Sequence, residues 1–221
     1  LARNSQHAKQ SSASTAQHAK VSIQSCARKT PHVNFIDPTM SQVLAETGNA
    51  QHACVEEFFI QLALNHEVQP EVHNGMTVYS ASNPDEAAMV YAAKHFGFEF
   101  VNNEVGVITL KTGLRSGGAG ADSKYALLYN LEFSSDRKRS SVIVRKPDGN
   151  VTLDCKGADN VIKKRRSETA NSSALLTETY GHLETYVNDG LRTLLVAKAD
   201  LPPSVFDPWK AKFDEASCAM D

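Results

Sequence analysis

The chain is 221 residues long, with 23 Lys and Arg against 25 Asp and Glu and a formal net charge of −2 at pH 7. That length suits one domain with a real core, with or without a tail, and the near-neutral balance excludes a globally basic nucleic-acid binder. A mean hydropathy of −0.35, no apolar run near the ~20 residues that cross a bilayer and no apolar stretch among the first residues point to a soluble chain without a signal peptide. Four cysteines, Cys26, Cys54, Cys155 and Cys218, form no close pair in sequence. That spacing speaks against a disulfide framework and a zinc site, and reads as reduced thiols in a cytosolic setting.

Residues 1 to 33 carry Arg3, Lys9, Lys20, Arg28 and Lys29, no acid, and few bulky apolar side chains. Such a segment cannot bury enough surface to offset its ordering entropy. Residues 1–50 are therefore expected to be mostly disordered or loosely attached, and 51–221 to form the folded domain. The spacing of Val55, Phe58, Phe59 and Leu62 predicts a helix over 53–65. Asn74-Gly75 reads as a turn before a short strand from Met76 to Ser80. Asn83 as N-cap, Pro84 at the first helical position and Glu86 three residues after the cap predict a second helix, stopped at Gly97.

The apolar period then changes from 3.6 to 2. Phe98 to Val101 and Val105 to Lys111 read as strands, and 112–123 as a Gly-rich loop. Tyr125 to Phe133 and Ser140 to Lys146 are predicted as longer strands. Pro147-Asp148-Gly149-Asn150 is a turn signal, and Val151 to Cys155 the returning strand. A helix is expected over 173–188, a strand from Leu191 to Lys198, and a last helix over 204–218 after Pro202-Pro203. The predicted class is α+β: a twisted antiparallel β-sheet flanked by helices.

No Walker A loop, GxGxxG, HExxH, CxxC or GxSxG element is present. Four local patches carry more specific chemistry. Glu86 is either half of a capping box with Asn83 or a helix-start carboxylate that accepts a hydrogen bond from a ligand amine. Phe133 is either core or a rim aromatic that offers its face to a purine, since six polar or charged residues follow it. Lys156-Gly157 is either an ordinary turn or a strand-end ammonium beside backbone that a ligand can approach closely. Arg192 is either an exposed charge at a strand start or a fork for phosphate oxygens. Arg137 to Arg139 and Lys163 to Arg166 read as solvated cations, the latter suited to a helix C-terminus. Their aromatics do not interleave with the basic runs, which argues against nucleic acid as a partner.

Taken in order, FFIQLAL (58–64), NPDEAAMVYAAKHFGFEF (83–100), LEFSSDRKRSSVIV (131–144), CKGADNVI (155–162) and GLRTLLVA (190–197), with Trp209 in the final helix, resemble the nucleotide-binding domain of type-four P-type ATPases, the phospholipid flippases. Asn83 stands where that family often has Ser, and Asn65-His66-Glu67 where it often has Cys-His-Thr. The resemblance implies that Phe133 stacks on adenine, that Glu86 and Lys156 fix the base, and that Ser135, Gly157 and Arg192 complete the nucleotide site. Arg192 would lie near the phosphates. It implies ATP as ligand, with Mg²⁺ arriving on the nucleotide and held mainly by another domain. The phosphorylated Asp of a DKTGT motif is not in this sequence; in Leu110-Lys111-Thr112-Gly113 a Leu stands in its place. The GDGxND and TGE elements are not in it either. The implied role is thus an ATP-binding domain on the cytosolic face of a membrane transporter. Its partner is the phosphorylation domain of the same full-length chain, which acts on phospholipid and hydrolyses ATP, while this portion alone does not turn over. The competing class is a non-catalytic protein-interaction module with Phe133 and Arg139 merely at its surface.

Overall fold

The structure is a computed structural model that describes residues 30–34, 37–113, 120–167 and 173–219. The expectation for residues 1–29 and for the middle of the Gly-rich loop lies outside the described residues. The chain divides into two compact units. One holds the described residues up to Ala63, with Glu67–Asn102 and Leu110–Ser123; the other holds Leu64–His66, Asn103–Thr109 and the chain from Lys124 onward.

In the first unit, α1 (Pro38–Ala45) starts at an N-cap, Asp37, whose side chain accepts from the Met40 N–H at 2.9 Å. The sequence reading placed no element here, although Asp37-Pro38 is the same cap-then-proline start as Asn83-Pro84. Helix α2 (His52–Leu64) buries Phe59, Leu62 and Ala63, while Phe58 is 41% exposed. The buried face is thus rotated from the predicted one. Phe59 stacks on Phe96 at a centroid distance of 4.6 Å and on Phe98 at 6.0 Å.

Strands β1 (Gln69–His73) and β2 (Met76–Ser80) form an antiparallel hairpin across Asn74-Gly75, of which only β2 was anticipated. Helix α3 (Pro84–His95) is capped by Asn83, whose side chain accepts from Asp85 N at 3.0 Å. It ends in a Schellman arrangement: Gly97 has φ 95°, its N–H bonds Lys94 O, and Phe98 N–H reaches Ala93 O at 2.9 Å.

Lys94, in the last turn of α3, donates to Thr77 O at 2.7 Å and to Glu99 Oε1 at 2.9 Å. Burial alone would raise the Glu99 carboxyl. Hydrogen bonds from Lys94 and Thr77 and the charges of Lys94 and Lys111 outweigh it and hold the pKa below its ordinary value of 4.5. A depressed carboxyl pKa stabilises the fold fully above the unfolded value, and that contribution is lost as pH falls through the folded one. Denaturation midpoints measured from about pH 6 to pH 3 should therefore drop more steeply in the native chain than in Glu99→Gln. Parallel acid limbs would remove Glu99 from the account.

Among the described residues a six-stranded sheet runs in chain order: β3 (Glu99–Glu104), β4 (Val107–Thr112), β5 (Ala121–Ser134), β6 (Arg139–Arg145), β7 (Val151–Gly157) and β8 (Leu195–Asp200). The pairings β5–β6, β6–β7 and β7–β8 are antiparallel. With its helices, the chain is α+β, as the sequence predicts. Leu110 of the LKTG stretch is fully buried on β4, so its side chain is core.

In the second unit, helix α4 (Asp159–Lys163) follows β7, another short element not anticipated. Helix α5 (Ser173–Asn188) and helix α6 (Pro203–Cys218) fall where predicted. Phe206, Trp209 and Phe213, at i, i+3 and i+7, bring one face of α6 onto Tyr129 of β5, with ring centroids 6.3, 5.0 and 5.1 Å away. The Tyr129 hydroxyl donates to Asp214 at 2.9 Å. Asn65, just after α2 and buried, donates its amide to Asp154 O at 3.2 Å and to Ser140 O at 3.4 Å. One side chain thereby bridges carbonyls of two adjacent strands.

Candidate functional site

Strand register gathers most of the predicted site residues at one end of the sheet. Ser134 at the end of β5 pairs with Arg139 at the start of β6. Arg139 pairs with Gly157 at the end of β7, and Gly157 pairs with Leu195 at the start of β8. Phe133 and Ser135 flank Ser134, Lys156 precedes Gly157, and Arg192 lies three residues before Leu195. Residues from three of the four sequence patches thus come to the same end of the sheet, because four antiparallel strands share one terminus.

The turn between β5 and β6 is tightly held. Lys138 has φ 50°, its N–H bonds Ser134 O at 2.8 Å, and its carbonyl accepts from Ala158 N at 3.1 Å. Arg137 N bonds Ser134 Oγ at 3.2 Å. Phe133 sits beside this turn with 61% of its surface exposed. That rim position leaves a large apolar ring in water.

Alternation along the strands sorts the remaining side chains. Ser140 pairs with Lys156, and Lys156 with Val196. Directly paired residues share a face, so Ser140, Lys156 and, two and four positions back on β7, Asp154 and Thr152 occupy one face. All four are buried. The hydroxyls of Ser140 and Thr152 have no hydrogen-bond partner among the described residues, whereas Lys156 and Asp154 do have partners. Ser140, opposite Lys156, and Thr152, four residues back on β7, thus leave hydroxyls without a partner on the face that carries the lysine. Sequence reasoning missed Ser140 and Thr152; the pairing of Ser140 with Lys156 and the two-residue period of β7 identify them.

Gly157 has a different reason from the one the sequence suggests. A Cβ there would stand 2.6 Å from Arg139 Cβ and from Lys138 O, and 2.9 Å from Arg139 Cα. The backbone that approaches it closely is the neighbouring strand. Arg192 also differs from expectation. Strand β8 begins at Leu195, not Leu191. The end of α5 consumes the intervening residues: Gly190 has φ 78° and bonds Val187 O, and Leu191 N–H reaches Tyr186 O at 2.9 Å. Arg192 is thus an exposed residue of the connection, not of the strand.

Glu86 belongs to the first unit. Its carboxylate accepts from Glu67 N at 3.0 Å at the start of α3. The Asn83 side chain engages Asp85 N. Glu86 is therefore tied to the loop after α2 by its own hydrogen bond, and strand register does not place it with the other five residues.

Among the described residues, no group of three or more His, Cys, Asp and Glu is arranged to hold a metal ion, and no helix is long and apolar enough to cross a membrane. The donor set here, an exposed aromatic ring, a buried lysine and unpartnered hydroxyls, fits a nucleotide better than a protein-held Mg²⁺.

The chain is thus an α+β domain of hairpin-linked strands, with Phe133, Lys156 and Gly157 brought to one end of the sheet. The chain belongs to the P-type ATPase cytoplasmic domain N family, whose profile matches residues 55–219. It is 40% identical over 165 residues to phospholipid-transporting ATPase IC of Xenopus tropicalis, covering 75% of this chain and 12% of that protein. It is 38% identical over 188 residues to phospholipid-transporting ATPase ID of Homo sapiens, covering 85% and 15%. With phospholipid-transporting ATPase dnf2 of Schizosaccharomyces pombe the identity is 36% over 191 residues, covering 86% and 13%. The chain thus spans only 12% to 15% of the length of these relatives.

Proposed function

We propose that this chain binds ATP and presents its γ-phosphate to an aspartate on a phosphorylation domain carried elsewhere in the same polypeptide. The parent protein would use that phosphorylation to move phospholipid between leaflets, with this domain on the cytosolic side. The observation that carries the reading is the strand register that brings the Phe133–Ser135 turn and Lys156-Gly157 to one sheet end, with the Phe133 ring exposed.

In this reading the Phe133 ring stacks on adenine, Lys156 fixes the base, Ser135 and Gly157 border it, and Arg192 neutralises phosphate charge. Catalysis would rest on positioning, since phosphoryl transfer asks little covalent chemistry of the protein. Mg²⁺, when bound with the nucleotide, supplies charge neutralisation at the phosphates. Glu86 is proposed as an acidic determinant of nucleotide affinity, which Glu86→Gln would read separately.

The test is a calorimetric titration of the chain with ATP, ADP and adenosine. Binding in the millimolar range, about −4 kcal/mol, is expected for all three, strongest for ATP. Arg192→Gln should weaken ATP and ADP but spare adenosine. No saturation at high nucleotide, or an equal loss for adenosine, would overturn the assignment.

A further inference from the structure

The second unit contains a cavity that the nucleotide reading does not use. It has a volume of about 320 Å³ and lies between the sheet and helix α6, with Ile143, Leu153 and Cys155 on its floor and Phe206 and Trp209 from the helix. Ser141 pairs with Cys155, and Ile143 with Leu153. These residues alternate with Ser140, Val142, Asp154 and Lys156, so the cavity faces away from Lys156. It is a separate site on the opposite side of the same strands.

The cavity is polarised along its length. Arg137 and Arg139 line it at the turn end of β6, and Arg165, just beyond α4, joins them; Lys198 of β8 also contributes to the lining, its ammonium paired with Asp200 at 3.3 Å. The sequence reads these cations as solvated; the structure half-buries Arg137 and Arg139. Each guanidinium donates one hydrogen bond to a backbone carbonyl: Arg137 to Glu132 O at 2.7 Å, Arg139 to Arg137 O and Arg165 to Val161 O, both at 3.0 Å. Among the described residues no carboxylate pairs with any of the three, and no acidic side chain lines the cavity. Burial first, and then the charges of Arg165 and Arg137, hold the Arg139 guanidinium below its ordinary pKa. Most of the five donors on each fork remain for an anion. Ile143 and Leu153 lie four residues further along the ladder, about 13 Å from the basic end at ~3.3 Å per residue.

We propose that this cavity binds a single-chain amphiphile with an oxyanion head, the head held by Arg137, Arg139 and Arg165 and the apolar chain running over Ile143 and Leu153 beneath Phe206 and Trp209. The volume stands at the small end of the ~300–1,000 Å³ typical of small-molecule sites. The length from charge to apolar end selects an extended chain over a compact aryl group.

Trp209 is the chain's only tryptophan, so its fluorescence reads this cavity alone. The 221-residue chain would be titrated with decyl phosphate below its micelle concentration, and in parallel with decanol, inorganic phosphate and phenyl phosphate. A saturable change with decyl phosphate, matched by none of the other three at equal concentration, is expected. Arg139→Gln and Arg165→Gln should each weaken it about tenfold or more. Arg165 is exposed, so its variant keeps the test valid even if Arg139→Gln folds poorly. Saturating ATP should not displace the probe. A non-saturating change, an equal response to decanol, to free phosphate or to phenyl phosphate, indifference to both arginine substitutions, or competition by ATP would each overturn the proposal.

Discussion

Phe133→Ala is expected to weaken ATP binding by about tenfold or more while the unfolding midpoint stays nearly unchanged. Base–aromatic stacking contributes ~1–3 kcal/mol per base, and the ring has no substitute nearby on β5 or its turn. The fold loses little, because the side chain is already 61% exposed; a buried Phe→Ala would instead cost about 3–5 kcal/mol. Calorimetric titration beside a thermal scan separates the two. A collapse in stability with unchanged affinity per folded molecule would make Phe133 a packing residue and remove the stacking role.

Gly157→Ala is expected to act in the opposite order, on stability first. The added methyl would meet Lys138 O and Arg139 Cβ at 2.6 Å, and neither is the free end of a flexible chain. Relief requires β6 or the β5–β6 turn to move, yet that turn holds Lys138 at φ 50° and ties its carbonyl to Ala158 N. Overpacking of this kind costs about 1–3 kcal/mol. The displaced turn carries Phe133 and Ser135, so nucleotide affinity should fall as well. Urea denaturation should show a lower midpoint with an unchanged slope. Full native stability in the variant would show that the turn yields freely.

Much of this fold is legible in the sequence where local chemistry is strong. Asn83-Pro84 and Gly97 bracket α3, Pro147 to Asn150 set the β6–β7 hairpin, and Tyr125 to Phe133 fall within β5. Helix α1 and strand β1 carry too weak an apolar period to be read: Val43 and Leu44 alone are buried on α1, and β1, with no buried residue, is held by its pairing with β2. The start of β8 was placed too early because Leu191 and Leu194 extend an apolar pattern that the end of α5 interrupts. At the site, the patches themselves are readable, but their faces are not. That Ser140 stands with Lys156 follows only from register. The close neighbour of Gly157 is likewise a strand far off in sequence, which no local pattern encodes.

The hairpin joining β6 to β7 is held at the end of the sheet opposite Phe133 and Lys156. Asp148 accepts from Asn150 N and Nδ2, both at 2.9 Å, and Lys146 N–H reaches Asn150 O. Those bonds fix a count. Every residue of β7 inherits its side of the sheet from whether its distance to that turn is odd or even. A one-residue insertion there that propagated along β7 would turn Lys156 toward the arginine-lined cavity and Cys155 toward Ser140, exchanging the chemistry of two surfaces while leaving the composition of both strands intact. A second insertion would restore the original parity. Asp148 and Asn150 therefore determine, by arithmetic alone, which ligand each side of the sheet is able to meet.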